Sequence, residues 1–207
     1  PAIESAQATD AAGEAAFALG ILGWSLAVLG DPAAGIARFE EGRAIAERLR
    51  SVEGVALAAF NLASMLDRIG DSEGSLAAAA TGYATAERFG VARTYGGLLL
   101  GFQAKAEFVL GGWDDADAST ALGLRRGATG RAELWLATNR ARLMTARGSF
   151  DESAALLQRA RSVEECLGGT EFISPLLAAE AELAAWRGRV PEVLALSPNT
   201  PMVTPVA

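Results

Sequence analysis

Cys166 is the one thiol of the chain, and it stands next to Glu164 and Glu165. A cysteine attacks as its thiolate, which a nearby cation or imidazole has to favour. Histidine is absent altogether, so the commonest general base and the commonest zinc ligand are both missing. Cys166 therefore reads as a small apolar residue on a helix. The carboxylate pairs Asp114/Asp115 and Glu164/Glu165 are the other groups with catalytic potential. Adjacent residues on a helix point about 100° apart, so neither pair converges on a substrate. Lys105, the only lysine, lies in Gln103-Ala104-Lys105-Ala106, without the Gly-Lys-Ser/Thr that a phosphate-cradling loop requires. These residues predict a chain that is not an enzyme and that uses no metal or cofactor.

Composition bounds what the elements around these residues can be. The chain has 207 residues, of which 51% are hydrophobic, with abundant Ala, Leu, Glu and Arg. That suits a long helical array with a sizeable core. A formal charge of -7 argues against holding a nucleic-acid backbone, which needs clustered cations. Arg125, Arg126 and Arg131 form the one local basic cluster, placed where cations offset a helix C-terminal dipole. The charge-free run from Ala15 to Gly30 is shorter than the ~20 residues that span a bilayer, so it reads as a buried helix, and no membrane contact is expected. A single cysteine excludes an intrachain disulfide, which favours a reducing cytoplasm. The chain starts at Pro1 with no signal segment, as an excised piece of a longer polypeptide would.

A repeat organises the whole sequence. Turn glycines at Gly30, Gly70, Gly111, Gly148 and Gly188 are spaced 40, 41, 37 and 40 residues apart. Seven positions before each stands a small residue, at Gly23, Ala63, Ala104, Ala141 and Ala181. Five positions after come Gly35, Ser75, Ala116, Ser153 and, less faithfully, Val193, and twelve after come Gly42, Gly82, Gly123 and Ala160. Small side chains at fixed phases allow the helices of a hairpin, and the next hairpin, to approach closely. In the first repeat, Leu19, Leu22, Gly23, Leu26 and Leu29 fall on one side of a helix. Gly30-Asp31-Pro32 supplies a helix stop, an N-cap and a first helical residue in succession.

The expected fold is therefore all-α, a right-handed superhelical solenoid of about five helix hairpins with a period near 40 residues. Helices are expected at about 10–29, 32–50, 53–69, 72–89, 92–110, 113–125, 130–147, 150–167, 172–187 and 190–196. The repeat domain covers 1–196, and the proline-rich stretch 197–207 is expected to be an extended tail or linker.

Leu-x-x-Leu-Gly at Leu19 to Gly23, together with the Gly-x-aromatic-Asp-Asp/Glu-small turns at Gly111 and Gly148, resembles tetratricopeptide repeats. The longer period, with Leu110-Gly-Gly-Trp-Asp-Asp-Ala and Ala184-Ala-Trp-Arg-Gly-Arg, is similar to the helical repeat arm of large bacterial LuxR/MalT-type regulatory ATPases. That resemblance implies a non-catalytic arm that senses an effector or protein and signals to sister ATPase and DNA-binding domains of the same polypeptide. A freestanding adaptor that holds a peptide or protein is the other arrangement it allows.

In tetratricopeptide arrays the first helix of each pair lines the concave surface. Phases thirteen, ten, nine, six and three before each turn glycine share that face, and they carry Phe17, Trp24, Phe60, Phe102, Phe108 and Trp135. The expected groove is formed by Trp24, Phe60, Asn61, Phe102, Lys105, Trp135, Asn139 and Arg142. Its rings would hold a peptide helix or a small apolar effector. Asn61, Asn139, Lys105 and Arg142 resemble the clamp by which some tetratricopeptide domains grip a carboxylate, through charge-assisted hydrogen bonds. The first and last hairpins carry no polar capping helix, so self-association through their ends is also expected.

Overall fold

The computed structural model describes residues 12–196 apart from 91, 93, 94 and 170. Ten α-helices and no strand occur among the described residues, in the order α1 (Ala12–Val28), α2 (Pro32–Arg48), α3 (Val52–Arg68), α4 (Ser72–Arg88), α5 (Gly96–Val109), α6 (Trp113–Arg125), α7 (Gly130–Ala146), α8 (Phe150–Leu167), α9 (Ile173–Trp186) and α10 (Val190–Leu196). They form successive hairpins, so the chain is an all-α helical repeat. It divides into two compact units between Ser119 and Thr120, within α6. The first holds α1–α5 and the start of α6. The second holds the rest of α6 and α7–α10. The expected tail, 197–207, lies outside the described residues.

Each turn glycine ends its helix in the left-handed region, with φ from 71° at Gly188 to 98° at Gly30. At every one the same two backbone bonds close the helix. Gly30 N–H donates to the Ala27 carbonyl and Asp31 N–H to the Leu26 carbonyl, and the pattern recurs at Gly70, Gly111, Gly148 and Gly188. This is the Schellman arrangement, in which a residue without Cβ takes the strained conformation. After Gly30 and Gly70 the next helix starts on a side-chain cap, with Asp31 accepting from Ala34 N–H at 2.9 Å and Asp71 from Gly74 N–H at 2.8 Å, whereas Ser149 after Gly148 makes no such bond. Such a cap stabilises a helix by ~1 kcal/mol. Arg50 takes the same left-handed conformation, with φ 54°, at the exit from α2, a place held by Gly90, Gly127 and Gly168 in later hairpins.

The small-residue phases meet as their spacing predicts. Ser75 Oγ donates to the Ala63 carbonyl and Ser153 Oγ to the Ala141 carbonyl, each at 2.9 Å. In the first hairpin both positions are glycine, and a Cβ on Gly35 would lie 2.6 Å from the Gly23 carbonyl oxygen. In the third, Ala104 and Ala116 are both buried. Twelve past the turn, a Cβ on Gly82 would meet Ala59 of α3 and Leu99 of α5, and one on Gly123 would meet Leu136 of α7. These are the points where a following hairpin presses in.

Three expectations need correction. The charge-free helix is not buried on all sides: Leu19 is enclosed, but Phe17, Ile21 and Val28 lie exposed on α1. Leu22 and Leu29 do not share the packed side with Leu19, since Leu29 follows the last helical turn and is 83% exposed. Helix α5 starts at Gly96 rather than near 92. Tyr95, just before it, turns its ring onto Phe60 at 6.4 Å.

Candidate functional site at the first hairpin junction

The face expected to line a groove is the face through which neighbouring hairpins are joined. Contacts recur at one repeat period between the first helix of one hairpin and the first helix of the next. Trp24 Nε1 donates to Asn61 Oδ1 at 3.1 Å, 37 residues on. Lys105 Nζ meets Asp67 Oδ2 at 2.7 Å, 38 residues apart. Arg142 Nε donates to Glu182 Oε2 at 3.1 Å and Arg131 to Glu171 at 2.8 Å, both 40 apart.

The candidate residues therefore fall into separate settings. Lys105 and Arg142 each already hold a carboxylate of the neighbouring hairpin, so neither stands as an isolated cation awaiting one. Phe102, 4% exposed, packs edge-on against Phe60 at 5.8 Å. Trp135, 2% exposed, stacks on Phe172 at 4.8 Å and 23°. Asn139 is buried on α7 beside them in sequence. These rings act as core between hairpins. Phe108 packs against Trp113, with ring centroids 5.7 Å apart. Arg131 is committed to Glu171, and Cys166 is exposed on α8.

Trp24 and Asn61 are different, because they border open space. A cleft of about 270 Å³ is enclosed by α1, α2 and α3, with Phe17, Gly20, Trp24, Phe39, Gly54 and Asn61 in its walls. Trp24 packs edge-on against Phe39 at 5.8 Å, which fixes the back wall. An indole N–H can only donate, so it sets the Asn61 amide with Oδ1 towards Trp24 and leaves Nδ2 for another partner. Ser51, also in the wall, accepts from Gly54 N–H through Oγ at 3.1 Å and keeps its hydroxyl proton to donate. No ionisable side chain lines the cleft. Its mouth adjoins the exposed side chains of Phe17 and Ile21, and a shallower apolar depression continues along α1 past Ser25 to Val28 and Leu29.

Sequence reasoning found Trp24 and Asn61 but not Gly20, Gly54 or Ser51. Their signal lies in the repeat register: the positions of Phe60, Phe102 and Tyr95 at the second junction are those of Gly20, Asn61 and Gly54 at the first. No helix among the described residues is long and apolar enough to cross a membrane.

No family profile matches the chain, and no curated protein matches it. Among solved structures it is similar to the crystal structure of BtubC (BKLC) from P. vanneervenii, with a TM-score of 0.74 and 13% identity over 100% of this chain and 93% of that one. At this identity the likeness shows the fold alone, an all-α helical repeat.

Proposed function

We propose that this chain is a non-catalytic interaction and effector-sensing repeat domain, working in the cytoplasm through the apolar cleft and exposed α1 face of its first hairpins. The observation that carries this reading is the contrast in exposure: Phe17 is 61% exposed at the register where Trp135 is buried under a neighbouring ring. Large apolar groups held open beside a preformed cleft are the usual mark of a binding surface. In its most specific form the reading makes the chain the sensing arm of a LuxR/MalT-type regulator, coupled to sister ATPase and DNA-binding domains, with no nucleic-acid contact of its own. The freestanding adaptor, with a peptide or protein in its groove, is the second reading.

The test is a Phe17→Glu/Ile21→Glu variant placed in the source organism, with helicity checked by circular dichroism. Loss of specific co-purifying partners or of effector response supports the reading. An unchanged partner set and response overturns it. The coding frame on both sides of the segment separates the two forms, since a phosphate-binding loop upstream and a helix-turn-helix downstream belong only to the regulator.

A further inference from the structure

We infer that the cleft between α1, α2 and α3 is a binding site for a free, neutral aromatic molecule carrying a hydrogen-bond acceptor, held as the ring that the first hairpin junction lacks. This rests on the interaction and sensing reading and names the ligand class of its site.

The repeat itself is the template. At the second junction the positions ten and nine before successive turn glycines, and sixteen before the later one, are Phe60, Phe102 and Tyr95. Their rings fill the space, with centroids 5.8 Å apart for Phe60 and Phe102 and 6.4 Å for Phe60 and Tyr95. At the last junction the positions thirteen and sixteen before the turns are Trp135 and Phe172, stacked at 4.8 Å. At the first junction the same registers hold Gly20, Asn61 and Gly54 around the cleft, and Phe17 stands where Trp135 stands, with a glycine in place of its stacking partner. The first junction thus has glycine or asparagine at registers where the second and the last carry rings, and the cleft lies among those residues. A cavity of roughly 150 Å³ with apolar walls suffices for benzene. The cleft, at about 270 Å³, has room for a ring with a short substituent.

Wall chemistry selects among such molecules. With no ionisable lining side chain, a charged ligand would lose hydration without compensation. Asn61 Nδ2 and the Ser51 hydroxyl are the donors in the wall, and a carbonyl-type acceptor satisfies them. Phe17 supplies the ring face for offset stacking.

The experiment titrates the purified 207-residue chain with methyl benzoate, benzoate, methyl cyclohexanecarboxylate and N-acetyl-phenylalanine methylamide. Binding is read by calorimetry and by the backbone amide resonances of Gly20 and Gly54 and the indole resonance of Trp24. The expected result is saturable binding of methyl benzoate that shifts those resonances, with benzoate and the cyclohexane ester each at least tenfold weaker. Gly20→Phe, which supplies the missing ring from the chain, should weaken methyl benzoate at least tenfold while helicity and melting temperature hold. No shift of these resonances at millimolar methyl benzoate would overturn the proposal, as would benzoate binding equally well. Tighter binding of the phenylalanine derivative would overturn it in favour of a peptide side chain. If methyl benzoate fails to bind while Phe17→Glu/Ile21→Glu still abolishes partner capture, the ligand class falls and the interaction reading stands. Ligand binding with capture and response unaffected by that variant is the reverse.

Discussion

The junction between the first two hairpins and that between the last two share one register and are filled differently. At the last, Trp135 and Phe172 stack out of solvent, and Arg142 with Glu182 and Arg161 with Glu180 bind the hairpins at their margin. At the first, glycines stand around a cleft, Phe17 lies open, and a neutral hydrogen bond links Trp24 to Asn61. The stability of a repeat fold is approximately a sum of intrinsic repeat terms and such neighbour interfaces. The comparison teaches that one repeat register can serve cohesion at one junction and leave an open cleft at another.

The largest expected effect tests the filled side. Trp135→Ala removes a stacked, enclosed indole and should cost ~3–5 kcal/mol, whereas Phe17→Ala on the open side should stay within ~0.5 kcal/mol. Urea denaturation of both variants measures the gap, and equal costs would erase the distinction between the junctions.

The interior of the hairpins sharpens it further. Gly35→Ala in the first hairpin drives a methyl against the Gly23 carbonyl, a 2.6 Å approach to backbone that cannot swing aside. A destabilisation of ~1–3 kcal/mol is expected from such overpacking. The serine hairpins should be more forgiving. Ser75→Ala gives up one side-chain bond, ~0.5–1.5 kcal/mol. Ser153→Ala should cost more, because Thr145 Oγ1, 2.8 Å from Ser153 Oγ, loses its buried neighbour as well. Thermal melts that rank Ser75→Ala above Ser153→Ala in cost would contradict the assigned network.

What was legible in the sequence is what backbone geometry demands of residue type. A left-handed helix stop asks for glycine and a close helix crossing asks for a small residue, so the turns, the hairpins and the meeting of Ser153 with Ala141 followed from spacing. Arg50 escaped because an arginine there breaks the exit-glycine rule while keeping the conformation. The role of the shared face was harder to read. Whether Lys105 is a clamp or half of an ion pair depends on Asp67 one period away, and the burial of Phe102 depends on Phe60. A helical wheel places side chains on a face and is silent on what covers it. The cleft was less visible still, because it is a difference between registers: Gly20 carries no signal until it is set beside Phe60.

The smallest expected effect bears on why that difference exists. Glycine within a helix costs ~0.5–1 kcal/mol relative to alanine, and at Gly20 close packing against backbone does not explain it. An added Cβ would touch only the Asn61 Nδ2 atom, at 3.4 Å, ordinary contact rather than collision. Gly20→Ala should therefore raise stability by ~0.5–1 kcal/mol, the opposite sign to Gly35→Ala on the other face of the same hairpin, with both read from one set of urea transitions. A loss of stability at Gly20 would mean that the glycine is needed for packing. A gain would mean that the first junction gives up stability to keep its cleft open, which is what a site requires and a core does not.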